Sequence, residues 1–148
     1  MNVKEVLDER VIDLNMKAAD KKEAITYLAG KLKNAGYIAD VESYVEDIYF
    51  RESQGQTGIG NYVAIPHGKS DSVTQVGIAI GKMENEIEWE TLDGNGVKLI
   101  FLFAVGNDNE NAKTHLRLLA EVARTLGNDE AVERLLSAKT VEDLKAVF

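Results

Sequence analysis

Val97-Lys98-Leu99-Ile100-Phe101-Leu102-Phe103-Ala104-Val105 contains a single polar side chain, Lys98, in nine positions. A strand with one wet face alternates apolar and polar residues. A near-continuous apolar run belongs instead to a strand covered on both faces, in the middle of a sheet. Working outward, Asp93-Gly94-Asn95-Gly96 is a strong turn signal just upstream. Ile87–Trp89 reads as a further short strand, and Val73 to Ile80 as another, from its β-branched and small residues. Tyr62-Val63-Ala64-Ile65 is a short apolar strand that stops at Pro66-His67-Gly68, and Val11-Ile12-Asp13-Leu14 is a short β-like run near the start.

Helical patterns enclose this strand-rich centre. Asp20, with Glu23 three residues on, reads as a capping box opening a helix in which Ala24, Leu28 and Leu32 recur, and Gly36 ends it. Asp40 opens a second helix in the same way, with Val41, Tyr44, Val45, Ile48 and Tyr49 on one stripe. After Gly106 an Asn/Asp-rich loop opens a third, whose His115, Leu118, Leu119, Val122 and Leu126 share a face; Gly127 ends it. Asp129 begins a short helix through Leu135-Leu136, and Thr140 with Asp143 caps a last one. This order predicts an α/β fold: a mixed parallel/antiparallel sheet of about five strands flanked by helices, in one domain over residues 1–148.

Composition narrows the function. A chain of 148 residues, 45% hydrophobic and 28% charged, has enough material for one real core. No run approaches the ~20 apolar residues of a membrane helix, and the start, Met-Asn-Val-Lys-Glu, lacks a signal-peptide core. With no cysteine there is no disulfide, thiolate metal site or cysteine nucleophile, and two histidines cannot make a three-His zinc site. No metal and no cofactor are expected. The net charge of −8, with basic residues scattered among acids, argues against nucleic acid. A cytoplasmic, acidic protein without membrane insertion is the expectation.

Five residues are candidates for chemistry. His67 follows the chain's one proline at the end of an apolar strand, so its imidazole sits on a stiff strand end. Neutral imidazole is a nucleophile, a general base or a metal ligand near pH 7. His115 lies on the apolar face of its helix, where solvated histidines are not usually placed. Arg51 precedes the glycine-rich loop Gly55-Gln56-Thr57-Gly58-Ile59-Gly60-Asn61, where a guanidinium could reach a phosphate. The loop's amides suit an anion, and Thr57 and Asn61 add polar side chains. Each residue also has a structural explanation: a turn histidine at 67, a buried hydrogen-bonded one at 115, helix-dipole compensation at Arg51, and turn chemistry at Thr57 and Asn61. The loop is neither a P-loop nor a dinucleotide fingerprint, since no Gly-Lys-Ser/Thr follows and it opens a strand rather than a helix.

Arg51-Glu52-Ser53, Thr57-Gly58-Ile59-Gly60-Asn61, Val63-Ala64-Ile65-Pro66-His67-Gly68 and Trp89-Glu90-Thr91-Leu92-Asp93-Gly94 together resemble the EIIA domain of the phosphoenolpyruvate-dependent sugar phosphotransferase system, fructose/mannitol branch. Asp20-Lys21-Lys22-Glu23-Ala24 and Thr114-His115-Leu116 extend the match over nearly the whole chain, and the Trp-Glu-Thr-Leu-Asp-Gly element looks fructose-type. The resemblance implies that His67 accepts a phosphoryl group from the carrier HPr and hands it to a cysteine of an EIIB partner. It implies that His115 is the second active-site histidine, helping to hold the phosphoryl group, and that Arg51 is the arginine of the family's Arg-Glu pair; Arg51, Thr57 and Asn61 are the residues expected to stabilise the phosphoryl group. Tyr62 departs from the family's common small residue and is expected to narrow the pocket mouth. Lacking cysteine and apolar spans, the chain is expected to act as a stand-alone relay subunit. The alternative is a nitrogen-related EIIA regulator, phosphorylated on the same histidine and acting by phosphorylation-dependent protein binding.

Overall fold

The computed structural model describes residues 2–148. Five strands, β1 (Ile12–Asp13), β2 (Gly58–Gly60), β3 (Val63–Ala64), β4 (Gly77–Ile87) and β5 (Val97–Ala104), form one mixed sheet in the order β1-β4-β5-β3-β2. The apolar run is the middle strand. It lies antiparallel to β4 and parallel to β3, while β1 joins β4 in parallel and β2 pairs antiparallel with β3. Side chains of β5 alternate between two cores. Ile100, Leu102 and Ala104 face α2 (Lys21–Asn34) and α3 (Val41–Glu52). Leu99, Phe101 and Phe103 face α4 (Asn109–Leu126), α5 (Asp129–Ser137) and α6 (Val141–Lys145). Phe101 and Phe103 are essentially inaccessible, each stabilising the fold by roughly 1.5–3 kcal/mol relative to exposure.

Helix ends follow the expected chemistry with two exceptions, the Glu23 side chain, which does not return the bond that would complete a capping box with Asp20, and Asp40. Asp20 accepts from the Glu23 amide at 2.8 Å, Thr140 and Asp143 form a reciprocal capping box, and Gly36 takes φ +86° just past the end of α2. The Asp40 side chain makes no capping bond. The Ser72 hydroxyl instead accepts the Asp40 amide at 2.8 Å and donates to its carbonyl at 2.9 Å. Two short pieces, α1 (Val3–Val6) and a 3-10 turn at Glu9–Val11, are too brief to carry a periodic pattern.

The strands differ from expectation in two places. Val73 to Val76 lies outside the sheet, and Ile87–Trp89 is no separate strand: β4 runs on to Ile87, opposite Val97, through an irregular register after Lys82. Its length is set by the partner strand, which local pattern cannot register. The glycine-rich loop is also partly strand. A Cβ at Gly58 would stand 2.4 Å from the Glu90 carbonyl, so this glycine admits a backbone crossing and presents no anion cradle.

Candidate functional site

Beyond β3 the chain stays beside β5. The Pro66 carbonyl accepts the Phe103 amide at 3.1 Å, and the Ser70 amide donates to the Val105 carbonyl at 3.0 Å. These bonds carry His67 to the carboxyl end of the parallel pair β3/β5, where α/β folds place their ligands. Asp108 caps α4 through the Asn111 amide, and about two turns later His115 reaches the same place. The two imidazole centroids are 5.4 Å apart. Phe103 forms a floor beneath both, edge-on to His67 at 6.5 Å and to His115 at 5.4 Å.

The hydrogen bonding of His67 fixes its tautomer. Nδ1 lies 2.8 Å from the Ile65 carbonyl oxygen. A carbonyl only accepts, so Nδ1 carries the proton in the neutral ring and Nε2 keeps its lone pair. Burial, first of all, pulls the His67 pKa below the usual histidine value; the Ile65 carbonyl opposes this, the Arg51 charge adds to it and Glu52 opposes it. Burial also takes His115 down to about 4, assisted by positive charge on His67 and Lys69. At neutral pH both rings are uncharged. Nδ1 of His115 is buried without a hydrogen-bond partner among the described residues.

A cavity of about 370 Å³ opens on the pair and is lined by Arg51, Lys69, Asp47 and Phe50 as well as the histidines. Arg51 donates from Nη1 to the Gly55 carbonyl at 2.9 Å, closing the last turn of α3 and leaving its other N–H groups over. It therefore serves the helix end and faces the histidines at once. Phe50 is 70% exposed on the cavity rim, and Leu116, next to His115, is 64% exposed. Lys69 makes no ion pair among the described residues.

His67, His115 and Arg51 thus come together, and the other two candidates do not join them. Thr57 is buried, and its hydroxyl is bonded to the Glu52 carboxylate. Asn61 is exposed in the β2–β3 turn at φ +55°, its amide donating to Asp93 at 3.0 Å, at the far end of β3 from His67. Tyr62, at φ +67°, sits in that same turn. Its carbonyl accepts the Lys98 and Leu99 amides and its ring lies 4.9 Å from the Lys98 ammonium, so it narrows no pocket mouth. Lys69, Lys21 and Glu52 escaped the sequence reading. Their motifs were visible, but a lysine after a turn and a charged residue in a helix's first or last turn look like solvated surface.

An open imidazole nitrogen in a neutral histidine pair, flanked by a guanidinium and an ammonium at a strand end, is chemically suited to covalent transfer of an anionic group. A family model described as "Phosphoenolpyruvate-dependent sugar phosphotransferase system, EIIA 2" matches residues 5–148, and the chain belongs to that family. It is a phosphotransfer domain of the EIIA class. Over 140 residues it is 36% identical to the PTS system fructose-specific EIIABC component of Bacillus subtilis, covering 95% of this chain and 22% of that protein. The chain thus spans about a fifth of that relative's length. It is also 36% identical over 147 residues to the mannitol-specific phosphotransferase enzyme IIA component of Bacillus subtilis, covering 97% of this chain and 96% of the relative. Among solved structures, the nitrogen regulatory protein IIA-Ntr from Neisseria meningitidis superposes with a TM-score of 0.86 at 28% identity, over 98% of this chain and 97% of that one. No helix among the described residues is long and apolar enough to cross a membrane.

Proposed function

We propose that His67 is the phosphoryl acceptor of a sugar phosphotransferase relay, taking the group from phospho-HPr and passing it to a cysteine of an EIIB partner. The observation that carries this is the bond from Nδ1 of His67 to the Ile65 carbonyl, which leaves Nε2 open beside Arg51. In the first step the Nε2 lone pair attacks phosphorus and the N–P bond of the donor phosphohistidine breaks, its electron pair returning to the donor ring. In the second a cysteine thiolate attacks phosphorus and the Nε2–P bond breaks, restoring neutral His67. A phosphorylated imidazole is a good leaving group, so the bond is easily made and easily broken.

Charge on the transferring oxygens needs donors that are already in place. Arg51 and Lys69 supply two cations at the cavity. His115 supplies a second imidazole, its ring centroid 5.4 Å from that of His67. Exposed Phe50 and Leu116 offer apolar contact to two protein partners in turn. The 36% identities to a fructose-specific relative named for EIIA, EIIB and EIIC components and to a mannitol-specific IIA component support an EIIB acceptor and a role of the fructose/mannitol type. The regulatory alternative rests on the IIA-Ntr likeness at 28% identity and is the weaker fit.

The test is intact mass at neutral pH after mixing the protein with phosphoenolpyruvate, enzyme I and HPr, with His67→Ala alongside. One acid-labile phosphoryl group, absent from the variant, is the expected result. Undiminished labelling of His67→Ala would overturn the assignment. Passage of the label to an EIIB cysteine separates transport from regulation.

A further inference from the structure

Behind the histidine pair lies a polar cluster that the transfer chemistry leaves unused. The Glu52 side chain is only 4% exposed, yet it accepts from Nζ of Lys21 at 2.8 Å and from the Thr57 hydroxyl. Lys21, from the first turn of α2, also reaches Glu90 at 3.1 Å and lies 5.0 Å from the Trp89 ring and 5.7 Å from the Tyr49 ring. The start of α2, the end of α3, the approach to β2 and the segment after β4 therefore meet on one buried ion pair. Stability alone is a weak reason for such a pair, because desolvation offsets the attraction and apolar residues of similar volume often do as well.

Connectivity supplies a better reason. Glu52 holds the hydroxyl of Thr57. The Thr57 carbonyl accepts the Ile65 amide at 3.0 Å, and the Ile65 carbonyl takes the proton on Nδ1 of His67 at 2.8 Å. An unbroken run of polar contacts thus leads from Lys21 to the back of the reactive ring. Glu52 also adjoins Arg51 in the last turn of α3, so the same clamp fixes the helix end that aims the guanidinium.

We propose that Glu52, clamped between Lys21 and Thr57, is a positioning residue for phosphoryl transfer, holding the Thr57–Ile65 backbone so that His67 presents Nε2 and Arg51 stays beside it. This rests on the reading of His67 as the acceptor. Glu52 touches no reacting atom; it acts through the Ile65 carbonyl and through α3. Thr57, expected from the sequence at the phosphoryl group itself, serves one step behind it.

The experiment compares the full chain with Glu52→Gln, the double variant Lys21→Met/Glu52→Gln, Thr57→Val and Thr57→Ser. Three quantities are read: the rate of labelling by phospho-HPr, the melting temperature, and the ¹⁵N shifts of His67, which report which ring nitrogen holds the proton. Glu52→Gln leaves the Lys21 charge only its exposed partner Glu90 and should lower both melting temperature and rate. The double variant leaves no buried unpaired charge and should melt close to the parent. It should still be labelled about 10-fold more slowly, with the His67 shifts displaced toward a mixture of tautomers. Thr57→Ser should keep the parental rate and Thr57→Val should not, which decides the matter even where the double variant fails to fold. Recovery of the parental rate together with the melting temperature in the double variant would overturn the proposal, as would parental His67 shifts there. Should the parent take no phosphoryl group, the carrier reading fails while the tautomer comparison still judges the clamp.

Discussion

Acidification should expose the cost of keeping His115 uncharged. The unfolded chain takes up a proton at His115 near 6.5, whereas the folded chain resists until about 4. Between those values the unfolded state binds more protons, so stability rises with pH across this window and is lost as pH falls from 6.5 toward 4. The full difference corresponds to ~3 kcal/mol at about 1.36 kcal/mol per pH unit. Because the ring is partly exposed, solvent screening reduces this to about 2 kcal/mol. His67 is displaced in the same direction by burial and adds to the trend. The carboxylate of Asp8, held down to about 2 chiefly by Arg10, loses its contribution only at lower pH and so stays clear of the window. The assay is urea unfolding between about pH 7 and pH 4.5, on the parent and on His115→Gln, which does not titrate. The parent should lose about 1.5 kcal/mol more than the variant over that interval, which stops short of full protonation of the folded ring. Parallel curves would refute the reasoning, since they would mean that folding leaves the proton affinity of His115 unchanged.

Three further expectations concern the surrounding residues. Tyr44→Phe removes the buried hydroxyl that donates to the Phe103 carbonyl at 2.6 Å; it should cost about 1 kcal/mol, or about 2–4 °C in melting temperature, read by calorimetry. Arg51→Ala should slow labelling by phospho-HPr by about 10-fold or more while moving the melting temperature little, because its one hydrogen bond closes an exposed helix end; equal losses of both would return Arg51 to a helix-end role. Asn61→Gly should leave the labelling rate unchanged and hold or raise stability, since the residue sits at φ +55° away from His67; a slowed rate would restore Asn61 to the site.

The sheet was legible where its pattern is intrinsic to one strand. The run from Val97 to Val105 announces double-sided burial by itself, and β5 is indeed the middle strand. The length of β4 was not legible, because Ile87 belongs to the sheet only through its pairing with Val97. The glycines at 58 and 60 were visible as residues but not as an edge strand, since the need for glycine at position 58 comes from the Glu90 carbonyl, distant in sequence. The site divides in the same way. His67 and His115 stand out as polar groups in apolar settings, and that anomaly is local. Glu52 stands out only once Lys21 is known to reach it from another helix, and the place of Thr57 behind the site only once its hydroxyl is known to bond Glu52. Asn61 was grouped with His67 by its place in a short motif, whereas an extended chain of that length carries the two to opposite ends of a strand.

The histidine pair and the buried ion pair answer opposite demands on the same few residues. The proposed carrier role of His67 requires an uncharged imidazole, and burial beside Phe103 disfavours the charged form of both rings. Burial alone would leave the ring free to turn and would not choose a nitrogen. The choice is made by the Ile65 carbonyl, and a carbonyl is only as fixed as the backbone that carries it. Two of that backbone's anchors are the ladder with β5 and the Thr57 carbonyl, which the Glu52 clamp secures from behind. Neutrality therefore comes from the apolar side of the sheet's end and orientation from its polar side. A substitution that harms one should leave the other measurable: His115→Gln changes proton affinity without moving the Ile65 carbonyl, and the Lys21→Met/Glu52→Gln pair loosens that carbonyl while Phe103 still covers both rings.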